Sequence, residues 1–250
     1  LYEIALNVDD NGYKVAIYSG ELTPENTARW ILRQSAGYAG TFKTENNDYQ
    51  IKQGARNRIT KWLDGKMYIY NNDYGHNFLN LKKSIETCVV EKRVDFIVID
   101  NLMMLDINDL AKEKYEQQSQ LVGILSEFAK ANNVHIILVA HPRKSNGFLR
   151  LDDISGSNDI INKAENAFIV HRVNNDFKRL SQEMFHWSNE DPLYQCNNVV
   201  EVCKNREDGI QDKFIPLWFD ERTKRLMNTP KENKNYSWDV ENAWRDKDCF

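Results

Sequence analysis

An α/β fold is predicted, with a mostly parallel, twisted sheet flanked by helices and an antiparallel extension on its C-terminal side. Three features carry that expectation. Residues 95–99 (DFIVI) and 134–140 (VHIILVA) are short, nearly continuous apolar runs, the pattern of strands covered on both faces. Stretches of helical periodicity separate the strand-like runs, which places the strands in parallel through helical crossovers. The last three strand-like runs, near 167–172, 199–204 and 214–219, follow without such helices, so they are expected to pair antiparallel.

Along the chain, residues 1–10 place Leu1, Ile4, Ala5 and Val8 at helical spacing, and Asn11-Gly12 ends that helix. Residues 14–19 (KVAIYS) form a short β-rich run. Thr23-Pro24-Glu25 then supplies an N-cap, a proline at the first helical position and an acid in the first turn, opening a helix through residue 34 or so. Residues 37–60 are polar and read as a loop and a helix, 66–70 as a strand, and 78–90 as a helix. The strand at 95–99 stops at Asp100, a long helix spans 112–131, and the buried strand at 134–140 is stopped by His141-Pro142. Residues 174–196 read as an insertion without an assignable role. Residues 1–228 then make one domain, and 229–250 a polar, loosely packed tail in which Trp238 and Trp244 stand among charges.

Composition bounds the function. A chain of 250 residues suffices for one large domain or two small ones, burying roughly 70–75% of its surface. With 41% hydrophobic and 28% charged residues and a mean hydropathy of -0.65, neither a disordered chain nor a collagen-like repeat fits. No apolar stretch approaches the ~20 residues that span a bilayer, so no membrane partner is expected. The net charge of -4 argues against coating nucleic acid by bulk charge and leaves room for a local basic loop. Cys88, Cys196, Cys203 and Cys249 lie far apart, with no Cys-x-x-Cys and no histidine at metal-ligand spacing. Reduced thiols and a cytoplasmic location follow as expectations.

A largely parallel sheet binds ligands beyond the carboxyl ends of its strands, and four such ends carry reactive side chains. Glu21 follows the run at 14–19. A carboxylate there orients or deprotonates a water, or is a solvated acid near a helix N-terminus. Asp100 follows four apolar residues, the form of a Walker B element serving Mg²⁺ on nucleotide phosphates; the competing role is a cap on the next segment. His141 offers a hydrogen bond to a γ-phosphate, against the plainer role of a structural histidine. The following loop, with Arg143, Lys144 and Asn146, suits nucleic-acid phosphates and equally an ordinary solvated loop. Lys204 and Arg206 share one strand face with Val200 and Val202. Two cations so spaced clamp phosphates, Arg206 from a neighbouring subunit, or form a charged strand end in water.

In order, Tyr18-Ser19-Gly20-Glu21-Leu22, the run from Asp95 to Leu102, Ile137-Leu138-Val139-Ala140-His141, Ser155-Gly156-Ser157 with Ala164-Glu165-Asn166, and Lys204-Asn205-Arg206-Glu207-Asp208-Gly209 resemble the RecA-like motor domain of hexameric replicative helicases. That group comprises the DnaB, phage primase-helicase and Twinkle proteins, and the resemblance covers roughly residues 1–227. His141 and the spacing from Gly156 to Asn166 are more similar to the phage and Twinkle branch. The resemblance implies a RecA-like core, ATP and Mg²⁺ as cofactors, single-stranded DNA as substrate, a homo-oligomeric hexameric ring, and a primase domain or primase partner. It implies that Glu21 activates the attacking water, Asp100 is the metal residue, and His141 senses the γ-phosphate. Arg206 then acts in trans with Lys204 assisting, Arg143, Lys144 and Asn146 line the pore and grip DNA, and Arg172 and Phe219 pack the nucleotide base.

Three departures stand out. Asn162 replaces the usual Gln and Asp153 the Arg of DnaB proteins, and both alter the expected coupling to the DNA loop. The phosphate-binding GxxxxGK[ST] should sit just before the first helix, yet the chain opens at Leu1. Its one Gly-Lys, Gly65-Lys66, lacks the upstream Gly and the following Ser/Thr. The expectation is a chain truncated just after the Walker A motif and deficient in hydrolysis by itself. Two other readings share these residues: a RecA-like ATPase of a plasmid replication or recombination protein without unwinding activity, and a non-catalytic DNA-binding oligomerisation domain.

Overall fold

The computed structural model describes residues 1–142, 148–153, 158–230, 232 and 234–239. Its first half is a three-layer α/β unit. Helix α1 (Tyr2–Asp10) leads into β1 (Val15–Ser19), which is buried along its whole length. Helix α2 (Pro24–Gly40) starts where Thr23 accepts a hydrogen bond from the Asn26 amide at 3.3 Å and Pro24 fixes the first turn. The hairpin β2 (Thr41–Lys43) and β3 (Tyr49–Ile51) and helix α3 (Gln53–Leu63) follow. Strand β4 (Met67–Ile69), helix α4 (Phe78–Lys92) capped by Asn77, and strand β5 (Phe96–Asp100) come next. Helix α5 (Lys114–Asn132) crosses over to β6 (His135–Leu138).

These strands form one parallel sheet in the order β4-β1-β5-β6. Strand periodicity sends alternate residues to opposite faces. Ala16, Tyr18, Ile97 and Ile99 meet Phe78, Leu81 and Ile85 of α4 and Leu121 and Leu125 of α5. Val15, Ile17, Phe96 and Val98 meet Leu6 of α1, Ile31 of α2 and Ile59 of α3. Each Val, Leu, Ile or Phe among them contributes about 1.5–3 kcal/mol by leaving water, which is why a sheet of short strands holds.

The second half is a separate antiparallel sheet, order β10-β9-β8-β7. Helix α6 (Asn158–Lys163) precedes β7 (Asn166–Arg172); helix α7 (Asn175–Phe185), β8 (Asn198–Asn205), β9 (Lys213–Asp220) and β10 (Arg225–Met227) complete it. The antiparallel extension is therefore a sheet of its own among the described residues.

Four expectations change. Residues 37–60 contain a hairpin as well as a helix, and β10 carried no sequence expectation. Strand β6 is not the buried strand expected at 134–140 but the half-buried edge of its described sheet. The stretch at 174–196 holds α7, which buries Phe177 beside Phe148, Tyr194 and Val199 in an aromatic core with Phe185, Trp187 and Phe214. The C-terminal stretch is not loosely packed at its described end. Tyr236 and Trp238 are buried in the core on α1, α2 and α3, Trp238 Nε1 donates to the Ser35 carbonyl at 2.8 Å, and the Arg225 guanidinium lies 4.9 Å from the Tyr236 ring centre. Arg225 is itself buried, and burial pulls its pKa down. It also explains Gly37, whose φ is +55° and whose missing Cβ would lie 2.9 Å from that guanidinium. Trp244 lies outside the described residues.

Candidate active site

The carboxyl edge of the parallel sheet brings three of the expected residues together. Glu21 leaves β1, Asp100 ends β5, and His141 follows β6. His141 Nε2 lies 2.8 Å from Glu21 Oε1, and both side chains are about half exposed. Asn101, beneath them, is fully buried. Its Nδ2 donates to Glu21 Oε1 at 2.6 Å and lies 2.8 Å from His141 Nε2. The Glu21 loop is braced from the other side, because Asn72 Nδ2 donates at 3.1 Å to both the Ser19 and Leu22 carbonyls. Gly20 permits close approach there: a Cβ would stand 2.4 Å from Met104 Cβ, and its amide reaches the Asp100 carbonyl at 2.6 Å.

Asp100 is the more enclosed carboxylate. Burial pushes its pKa up, the Glu21 charge adds to that rise, and His141 opposes it. Beside it the buried Tyr2 hydroxyl has Ser19, Thr27 and Asp100 as polar neighbours. Among the described residues no group of three or more His, Cys, Asp or Glu could hold a metal by itself. One carboxylate with nearby hydroxyls fits Mg²⁺ held jointly with phosphate oxygens and water.

Lys204 and Arg206 sit elsewhere. Lys204 Nζ donates to the Ile161 and Ala164 carbonyls at 2.7 and 2.8 Å, closing the end of α6. Burial, with the neighbouring Arg206 charge, lowers its pKa. Arg206 pairs with Glu165 at 2.9 Å and donates to the Asn162 carbonyl at 2.6 Å. Glu165 also holds Lys130 at 2.8 Å, and its pKa is lowered first by that lysine and further by Arg206. Lys130 lies in the last turn of α5, at the amino end of β6. Arg206 therefore makes its contacts with Asn162 and Glu165, and not with Glu21, Asp100 or His141. Arg172 and Phe219 lie on β7 and β9 with β8 between them. Arg143, Lys144 and Asn146 fall outside the described residues, as do Ser155, Gly156 and Ser157.

Sequence reasoning did not assign Asn101, Asn72, Tyr2 or Thr27. Asn101 was adjacent to Asp100, but no periodicity marks a residue whose role depends on two other strands.

A family model described as an AAA domain matches residues 5–147, more than half of the chain. The chain belongs to the AAA domain family. A Twinkle homolog protein, chloroplastic/mitochondrial, from Arabidopsis thaliana is 36% identical over 81 residues, 30% of this AAA-domain chain and 11% of that protein's length. Among solved structures, the ATPase domain of G40P superposes with a TM-score of 0.67 at 16% identity, covering 91% of this chain and 78% of that one. A DnaB-like replicative helicase, solved in a study of its interactions with primase, gives 0.64 at 16%, covering 89% and 52%. At that identity the two structures establish the fold. The AAA-domain chain has the RecA-like core of DnaB-type ATPase domains, as its motifs implied. No helix among the described residues is long and apolar enough to cross a membrane.

Proposed function

We propose that the chain is the nucleotide-hydrolysing motor domain of a replicative DNA helicase. The observation that carries this is the Glu21–Asn101–His141 contact beside Asp100 at the carboxyl edge of the parallel sheet. Glu21 is the base that orients and deprotonates water. Asp100, with the Tyr2 hydroxyl close by, would hold the hydrated Mg²⁺ of ATP, which supplies charge neutralisation on the phosphates when bound. His141, half exposed and hydrogen-bonded to Glu21, reports the γ-phosphate to the basic loop that follows it, where Arg143, Lys144 and Asn146 contact single-stranded DNA.

Arg206 serves a neighbour's nucleotide. Its contacts with Glu165 and Asn162, rather than with Glu21 or Asp100, favour action across a subunit interface, hence a ring of copies, hexameric by resemblance. Lys204 supports it by fixing the end of α6. Packing of the base by Arg172 and Phe219, a primase domain or partner, and a cytoplasmic setting complete the reading. The 250 residues contain no GxxxxGK[ST], so tight ATP binding requires that element beside this domain, and the chain by itself hydrolyses ATP poorly.

ATP hydrolysis with and without single-stranded DNA tests the reading, on protein in which a P-loop segment precedes this chain. Glu21→Gln should abolish DNA-stimulated hydrolysis, and Arg206→Ala should do so while poisoning mixed assemblies with wild-type subunits. Hydrolysis that ignores DNA, or survives Arg206→Ala unchanged, sinks the helicase reading in favour of a monomeric RecA-like ATPase.

A further inference from the structure

Glu21 and His141 leave from β1 and β6, and β5 runs between those strands. Two strand spacings are about 9.6 Å, so a 2.8 Å contact obliges both side chains to lean over the end of β5. The residue waiting there is Asn101. Its Oδ1 accepts a hydrogen bond from the Met103 amide at 2.8 Å, capping the short turn at residues 102–104. That bond fixes the orientation of the side-chain amide, because an amide oxygen accepts and an amide nitrogen donates. Nδ2 is thereby turned toward Glu21 Oε1 at 2.6 Å and toward His141 Nε2 at 2.8 Å. Asp or Ser would cap the same turn. Asp brings no donor, and Ser is one atom too short to reach over the strand end.

We propose that Asn101 is a positioning residue that couples Glu21 to His141; the inference rests on the hydrolytic reading above. In the tautomer with the proton on His141 Nε2, that nitrogen and Asn101 Nδ2 both donate to Oε1, which is engaged twice, and the 2.8 Å between the two nitrogens is a packing contact of two donors. When His141 turns to another acceptor, Asn101 alone keeps the carboxylate aimed and one lone pair is released to a water. Asn101 is the buried member of the trio, held by the Met103 amide, and the two half-exposed members change partners around it.

The test is a set of cycles in steady-state ATP hydrolysis with single-stranded DNA, again behind a P-loop segment. Asn101→Leu should lower kcat by about 100-fold, the scale on which misplacing a reacting group costs rate, with KM for ATP changed less than about twofold. Asn101→Ser, which retains the turn cap, should lose kcat to a similar extent, and matched thermal unfolding of that variant and wild type guards against misfolding. Asn101→Gln, which restores a donor, should recover part of the rate. In a Glu21→Gln background, Asn101→Ser should cost nothing further. Full activity of Asn101→Ser, or a loss that multiplies with Glu21→Gln, overturns the role of Asn101 and leaves the hydrolytic reading standing. Full activity of Glu21→Gln overturns both.

Discussion

Among the described residues two histidine–glutamate pairs of nearly the same length stand in opposite settings. His141 and Glu21 meet at 2.8 Å with side chains 54% and 47% exposed; His171 and Glu201 meet at 2.7 Å at 4% and 2%. The first joins loops at the edge of the parallel sheet. The second joins neighbouring strands β7 and β8, with Arg150 on the other Glu201 oxygen at 3.1 Å and the Phe148 ring 4.5 Å from the imidazole. Water screens the first pair and allows its members to change partners at little cost. Removing one partner of the second leaves uncompensated polarity inside the sheet. Identical chemistry thus yields a movable contact in one sheet and an anchor in the other. The anchor holds Phe148 and Arg150, while the movable pair includes His141 on the parallel sheet.

The largest expected difference is in rate. Glu21→Gln should lower ATP hydrolysis by about 10²–10⁴-fold, the usual worth of a general base, while changing unfolding free energy by under about 1 kcal/mol. Glu201→Ala should do the converse and cost about 3–5 kcal/mol in urea unfolding; a loss as small as that of Glu21→Gln would erase the distinction. The histidines should differ more modestly. His171→Ala should cost about 1–3 kcal/mol, since a buried acceptor loses its partner, whereas His141→Ala should stay within about 1 kcal/mol.

The smallest effect sharpens the contrast within the movable site. Burial and Glu21 raise the Asp100 pKa in the folded chain, so ionised Asp100 opposes folding. That penalty is absent below the unfolded carboxyl range and grows as pH rises through the folded value. Asp100→Asn should therefore match wild type in stability near about pH 3 and exceed it near about pH 7, while losing Mg²⁺-dependent hydrolysis. Urea midpoints at the two pH values check the sign, and a stability deficit at neutral pH would contradict it.

Legibility followed the range of the interactions. The run at 95–99 needed only its own apolar residues to read as a strand, and the Thr23-Pro24 start of α2 needed only local capping chemistry; both stand in the structure. The run at 134–140 looked equally buried, because composition cannot show how many neighbours a strand has. Trp238 looked like a solvated terminal residue among charges, since its pocket is built from α2 and α3, far away in sequence. Asn101 was invisible as a functional residue for the same reason.

By itself the sequence determined the strand at β5, the capped start of α2 and which reactive residues end the parallel strands, because caps, breakers and periodicity act over a few residues. It also carried the order of motifs that marks a RecA-like core. Tertiary structure alone decided that strands β1, β5 and β6 lie side by side, that Glu21 and His141 therefore meet above Asn101, and that Arg206 pairs with Glu165 beside α6. Those outcomes depend on sheet order and on burial, which are properties of contacts between segments and are written in no single segment.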